Sequence, residues 1–290
     1  MADGLVIVDK PAAMTSHDVV ARMRRILHTR KIGHAGTLDP MATGVLVLGV
    51  GRATRLLHHL VLADKAYTAT IRLGMSTETD DAEGEPIASM SAGAVTEDDV
   101  RAEMRTLTGA IEQVPSSVSA IKVGGERAYK RVRAGEQVSL AARRVDITRF
   151  EALAFRRDGE VLDVAVSVEC SSGTYVRALA RDLGAGLAVG GHLTELRRTR
   201  VGPFGLDLAH ALDAPETDPV TLSLAEAVRI ALPVRDVDAG EAWELSYGRP
   251  IGVQGIPATY GAITADGDVV ALLREDGEHA RPVLVFTPAG

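Results

Sequence analysis

The sequence is poor in cysteine, with a single one, Cys170, among 290 residues. No disulfide can therefore form within the chain. Cys170 lies in a segment in which apolar and polar residues alternate. This pattern favours a small buried hydrophobic side chain over a catalytic thiol.

Long apolar runs are also absent. No run approaches the length of about eighteen residues that a membrane-spanning helix needs. The N-terminus, MADGLVIVDKP, places an acid and a lysine around a run that is too short for a signal peptide. Both observations predict a cytoplasmic protein with no membrane partner. With 46% hydrophobic and 24% charged residues, the chain can bury a substantial core in one large domain plus a small one.

Positive charge is in overall deficit, since the net charge is −7 and the pI is near 5.6. Taken globally, this balance argues against a nucleic-acid partner. The basic residues nevertheless form three groups, while the acids concentrate elsewhere, notably in 78–85 and 97–99. One such group is more often a solvated helix face, but three groups indicate a surface for a polyanion. The groups are Arg22, Arg24, Arg25, Arg30 and Lys31; Lys122, Arg127, Lys130, Arg131 and Arg133; and Arg197, Arg198 and Arg200.

The stretch 33–51, GHAGTLDPMATGVLVLGVG, predicts a loop that enters a buried strand. Its one carboxylate, Asp39, is followed by Pro40, which disfavours a helical backbone at Asp39. The glycines before the strand allow positive φ angles or close approach of a second chain. A rigidly held acid at the edge of a core is suited to chemistry. An Asx turn, in which Asp39 caps its own loop, explains the same residues equally well.

The spacing of apolar residues predicts helices and strands in mixed order. Thr15 and Asp18 have the spacing of a capping box before a helix that carries the first basic group. From Tyr67 onward, apolar and polar residues alternate, which predicts a strand with Tyr67 on its core face, as packing or as the floor of a pocket. The stretch 73–84 predicts a polar loop, and its four acids lack the spacing of an EF-hand calcium site.

A second strand and helix follow later in the chain. Alternation over 162–168 predicts a strand, and the apolar periodicity after Thr174 predicts a helix with Tyr175 and Arg177 in its first turn. Anions bind well at such a helix start, whereas an arginine is unfavourable there. The mismatch favours a functional role for Arg177, such as pairing with a carboxylate from another segment.

Three further segments have a distinctive composition. The stretch 115–135 is rich in Ser, Gly, Lys and Arg, which is typical of a basic flap or of a long surface loop. The residues DAPETDP at 213–219 have a linker-like composition. From Pro233 onward, short apolar runs separated by glycine and proline predict a small all-β domain of the barrel type.

Five segments of the chain closely resemble, in the same order, the TruB family of bacterial tRNA pseudouridine-55 synthases. The resemblance covers about residues 4–205. The segments are VDKPAAMTSHDVV from Val8, GHAGTLDPMATG from Gly33, KAYTATIRLG from Lys65, LGMSTETDDAEG from Leu73 and SSGTYVRALARDLG from Ser171.

The resemblance implies an α+β pseudouridine synthase fold, with a mixed, largely antiparallel central sheet flanked by helices. The catalytic domain would span 1–232 and carry an RNA-gripping insertion at 116–144. A small C-terminal β-barrel, similar to PUA RNA-binding domains, would span 233–290. Val118 stands where many members have an aromatic residue in the insertion.

The resemblance also implies a set of site residues. Asp39 would be the catalytic aspartate that pseudouridine synthases share, and Arg177 would pair with it. The pocket of the flipped uridine would be lined by His34, Tyr67, Tyr175 and, from its place in HLTELRR, Leu196.

The implied activity is the isomerisation of uridine 55 in the TΨC arm of tRNA to pseudouridine. No cofactor is expected, because the reaction involves no redox change, and the sequence has neither a Walker A loop nor a Rossmann fingerprint. The expected partner is the TΨC stem-loop of tRNA, with no obligatory protein partner. The alternatives are a guide-RNA-dependent synthase, a non-catalytic RNA-binding or tRNA-folding protein, and a hydrolase using Asp39, which no second acid at fixed spacing supports.

Overall fold

The structure is a computed structural model that describes residues 3–116, 140–212 and 221–289, together with the backbone of 122–123 and 126–127. The helices are α1 Ser16–Ile26, α2 Leu57–Val61, α3 Glu97–Thr106, α4 Val176–Gly186, α5 Leu224–Ala231 and α6 Ala239–Ser246, with short 3-10 helices at Gly51–Arg55 and Leu206–Leu208.

The strands occur singly or in series between these helices. They are β1 Gly4–Lys10, β2 Ile32–Ala35, β3 Thr43–Val50, β4 Lys65–Leu73, β5 Met75–Thr77, β6 Pro86–Ser89, β7 Gly109–Gln113, β8 Lys122–Val123, β9 Glu126–Arg127, β10 Arg143–Asp158, β11 Val161–Cys170, β12 Gly191–Val201, β13 Phe204–Gly205, β14 His210–Ala211, β15 Leu222–Ser223, β16 Val234–Val237, β17 Ile251–Gly252, β18 Tyr260–Thr264, β19 Val269–Asp276 and β20 His279–Val285.

The chain divides into two compact units. The first contains Met1–Asp39, Val45–Val61 and Gly202–Gly290, and the second contains Pro40–Gly44 and Leu62–Val201. Within the described ranges, no helix is long and apolar enough to cross a membrane.

In the first unit, β1 lies between β14 and β3, and β2 pairs antiparallel with β3. Helix α1 buries its apolar face, including Val19 and Met23, in a core that also contains Leu46 and Leu48 of β3. The predicted capping box is confirmed. The Asp18 amide donates to Thr15 Oγ1 at 3.1 Å, and the Thr15 amide donates to Asp18 Oδ2 at 2.9 Å.

The C-terminal part of the first unit forms a separate sheet of order β16-β18-β19-β20-β17, with its own apolar core. The β content predicted after Pro233 is thereby confirmed. The all-β prediction is wrong in one respect, because helix α6 lies between β16 and β17. Asp238 caps this helix by accepting from the Glu241 amide at 2.8 Å, and Leu245 is fully buried in the core. A helix of two turns with one such anchor has too little apolar periodicity to be recognised from sequence.

The second unit is built on strands in the order β12-β4-β11-β10-β7. Strand β4 is antiparallel to β11 and β12, and its buried residues alternate as predicted from Tyr67. Helix α4 packs against β12 and β4. Cys170, at the end of β11, is buried as expected, and burial raises the pKa of its thiol to about 11.

The stretch 73–84 differs from the polar loop predicted for it. Gly74, with φ of +107°, turns the chain out of β4, and Met75–Thr77 then pairs with Pro86–Ser89 as the hairpin β5–β6. Beyond this hairpin strand, Asp80 and Asp81 are buried. Most of the predicted insertion 116–144, with Val118, and the linker-like stretch 213–219 lie outside the described residues.

Candidate active site

The loop that carries Asp39 begins at the end of β2. The backbone of β2 is fixed by antiparallel pairing with β3, which places His34 opposite Leu48. Gly36 then turns the chain with a φ of +80°. Asp39 is the last residue of this segment of the first unit, and it is partly exposed. The first unit therefore holds His34 and Asp39 on one short, strand-anchored segment.

The end of the same loop is fixed within the second unit. Thr43 and Gly44 pair in parallel with Arg197 and Arg198 of β12. Gly44 has a φ of +99°, and a Cβ at this position would lie 2.1 Å from the carbonyl oxygen of Arg198. Because that contact is with backbone, it cannot be relieved by a side-chain movement. Glycine is required here for conformation and for space.

Strands β4 and β12 present two of the predicted pocket residues. Tyr67 lies opposite Val168 of β11 and Arg198 of β12, while Leu196 lies opposite Ala69. Residues directly opposite each other in an antiparallel pair point to the same face of the sheet. The structure therefore brings Tyr67 and Leu196 together on the buried face of the second unit, where both are largely covered.

Tyr175 is the N-cap residue of α4, and no side chain caps the helix from this position. Instead, the amide side chain of Gln113 holds the Tyr175 backbone. The Tyr175 N–H donates to Gln113 Oε1 at 2.9 Å, and Gln113 Nε2 donates to the Tyr175 carbonyl at 3.2 Å. Gln113 is 1% exposed. Gln113 was not predicted, since a single glutamine at the end of a strand gives no recognisable signal in the sequence.

Arg177 lies in the first turn of α4 and is 4% exposed. Its Nη1 lies 3.2 Å from Oδ2 of Asp81 and donates to the carbonyl of Thr79 at 2.8 Å. Arg177 thus pairs with a carboxylate from another segment, as its position in the helix suggested. Asp81 itself was not foreseen. The pairing of Arg177 with Asp39 stays a prediction.

A second ion pair lies next to the first. Asp80 Oδ2 is 3.3 Å from Nη1 of Arg181, one turn further along α4, and Asp80 has a positive φ of 59°. Burial raises the pKa of the Asp80 carboxyl, against the positive charges of Arg181 and Arg177. Polar composition predicts that such loop acids are exposed. Contact with a helix almost a hundred positions later buries them, and no local pattern reports that contact.

The arginines of the basic groups differ in exposure and in bonding partners more than the sequence suggested. Arg198 is 1% exposed and cannot belong to a surface for a polyanion, which corrects the expectation for the third group. Arg200 pairs with Glu169 at 2.7 Å. In the first group, Arg24 donates to the carbonyl of Ile32 at 3.0 Å. The side chains of the second group lie outside the described residues.

The fold is that of the pseudouridine synthases, as predicted. The chain is similar to the structure titled "Structure of H/ACA RNP bound to a substrate RNA containing 2'-deoxyuridine", with a TM-score of 0.72 and 25% identity. It is also similar to a "Cbf5-Nop10-Gar1 Complex", with a TM-score of 0.74 and 28% identity. Each likeness covers 98% of this chain and 85% of the other.

Sequence comparison narrows this class to one family. Residues 24–176 match the family described as "TruB family pseudouridylate synthase (N terminal domain)". Residues 177–218 match "tRNA pseudouridylate synthase B C-terminal domain", and residues 232–287 match "tRNA Pseudouridine synthase II, C terminal". The chain therefore belongs to the TruB family of pseudouridylate synthases.

Relatives named "tRNA pseudouridine synthase B" match over nearly the whole chain. The protein of Nocardia farcinica is 64% identical over 99% of this chain and 94% of its own length. That of Rhodococcus jostii is 60% identical over the same shares, and that of an Arthrobacter species is 59% identical over 100% of this chain and 98% of its own length.

The geometry at Gly44 leads to a stability prediction. We expect Gly44→Ala to lower the free energy of unfolding by about 3 kcal/mol or more, because it adds a backbone clash to a strained φ. The measurement is denaturant unfolding. Gly173→Ala is the matched control, since Gly173 also has a φ of +90° but no atom within 4 Å of the added Cβ; it should cost about 1–2 kcal/mol. Equal losses for the two variants would contradict the steric argument.

Proposed function

We propose that this protein isomerises uridine 55 in the TΨC arm of tRNA to pseudouridine, without a cofactor or a guide RNA. The observation that carries the proposal is the identity of 64% over 99% of the chain to a relative named tRNA pseudouridine synthase B. The residues available for this chemistry are His34 and Asp39 on their strand-anchored segment, and Tyr67 and Leu196 on the buried face of the second unit.

The reaction rearranges bonds within one nucleoside. The bond between C1′ of the ribose and N1 of the uracil breaks, the base rotates, and C1′ becomes bonded to C5. The proton lost from C5 is balanced by a proton gained at N1, so no oxidant or reductant takes part. A uridine in a folded tRNA arm must first leave its stack, which costs a few kcal/mol and can be offset by stacking on an aromatic side chain. Tyr67 is the proposed aromatic.

Asp39 has the central role in this proposal. It acts as a nucleophile, or as the base that starts cleavage of the glycosidic bond, and in either role it must be ionised. The guanidinium of Arg177 favours that charged form by pairing with it. His34, Tyr67, Tyr175 and Leu196 line the pocket that receives the flipped base.

The activity is tested by tritium release from a tRNA transcript labelled at C5 of uridine, with this protein as the only macromolecule added. We expect release by the wild type and none by Asp39→Asn, which keeps the shape of the side chain but removes its charge. A transcript with cytidine at position 55 should give only background release. No release by the wild type would overturn the proposal and favour a guide-dependent or non-catalytic protein.

The role of Arg177 is tested in the same assay under single-turnover conditions at saturating tRNA. We expect Arg177→Met to lower the rate constant by roughly 100-fold, because the charge beside Asp39 is lost. Arg181→Met is the matched control, since Arg181 lies on the same helix and pairs with Asp80; its rate should stay within about threefold of wild type. A rate for Arg177→Met near that of wild type would refute the pairing with Asp39.

A further inference from the structure

Helix α1 begins beside the loop that carries Asp39. Its first residue, Ser16, is fully buried. The Ser16 hydroxyl oxygen accepts a hydrogen bond from the Leu38 N–H at 2.9 Å and donates one to the Leu38 carbonyl at 3.2 Å. One hydroxyl thus binds both polar backbone groups of the residue directly before Asp39.

These two hydrogen bonds bear on Asp39 through covalent geometry. The Leu38 carbonyl belongs to the peptide bond that ends at the Asp39 nitrogen, and that peptide unit is planar. Fixing the carbonyl therefore fixes the plane from which the Asp39 backbone continues. Pro40 restricts the Asp39 backbone to extended conformations on the other side. The position of the carboxylate then depends mainly on φ and the side-chain torsions of Asp39.

The neighbouring residue on α1 contacts β2, the strand that leads into the same loop. The His17 ring meets the His34 ring edge to face, with centroids 5.5 Å apart and planes at 81°. The start of α1 therefore contacts β2 at His34 and the loop at Leu38. Thr15, the N-cap, differs from Ser16 and His17, because its side chain and amide form hydrogen bonds with Asp18 within the helix start.

We propose that Ser16 is a positioning residue for Asp39, which holds the Leu38–Asp39 peptide in the orientation that the reaction requires. The inference rests on the proposed function, since it assigns Ser16 a role in that same reaction. If Ser16 only satisfied buried backbone groups, its loss would weaken the fold without changing the rate of the folded enzyme. The two roles therefore predict different kinetics.

The test compares the single-turnover rate at saturating tRNA and the Kd for tRNA among wild type, Ser16→Ala, Ser16→Thr and Thr15→Ala. We expect Ser16→Ala to lower the rate by about tenfold or more with a Kd within about twofold of wild type. Ser16→Thr, which keeps the hydroxyl, should recover most of the rate. Thr15→Ala weakens the cap of the same helix and should lower Tm while leaving the rate within about twofold of wild type.

Three results would overturn the inference: a Ser16→Ala rate near that of wild type, an equal rate loss in Thr15→Ala, or a loss confined to Kd. If Ser16→Ala does not fold, Ser16→Cys replaces it, because a thiol has similar size but is a weak donor and acceptor. Inactivity of the wild type would instead refute the proposed function, so the two failures are distinguishable.

Discussion

The second unit depends on one buried ion pair, that of Arg177 with Asp81. Both side chains are about 95% covered, and an isolated charge in such a place is too costly to retain. Each residue therefore requires the other to be in position when the chain folds. The pair fixes the segment after β5 onto the first turn of α4, where the Thr79 carbonyl also accepts from Arg177. The neighbouring ion pair of Asp80 with Arg181 is a second link between the segment after β5 and α4.

The first unit positions its part of the site with neutral groups. Strand pairing between β2 and β3 sets His34, and the two hydrogen bonds between Ser16 and Leu38, one donated and one accepted by the Ser16 hydroxyl, set the peptide before Asp39. Neutral hydrogen bonds hold a backbone without placing a further charge beside the carboxylate. The arginine of the second unit and the aspartate of the first are thus each held by a local network within their own unit.

Local patterns predicted much of this fold. The capping box of Thr15, the alternation of β4 from Tyr67 and the apolar face of α4 are short-range features, and each is present in the structure. The residues alone left the role of Asp39 open. Only the ordered resemblance to a family gave it an expected catalytic role. Local sequence cannot separate a functional acid from a turn-capping one, because both need the same rigid loop.

Long-range contacts account for most of the structural features that the sequence did not predict. Asp81 and Gln113 are polar residues whose burial depends on α4, and Arg198 is buried although arginines are usually exposed. Helix α6 escaped recognition because its packing rests on few apolar residues. These features follow from tertiary contacts, which no periodicity in the sequence reports.

A double-mutant cycle of unfolding free energies measures whether Arg177 and Asp81 act as one coupled pair. The cycle uses Arg177→Met, Asp81→Asn and the double variant. If each buried charge requires the other, the double variant loses less stability than the sum of the single losses, by about 2 kcal/mol. Losses that add within about 0.5 kcal/mol would show that the second unit does not depend on this pair.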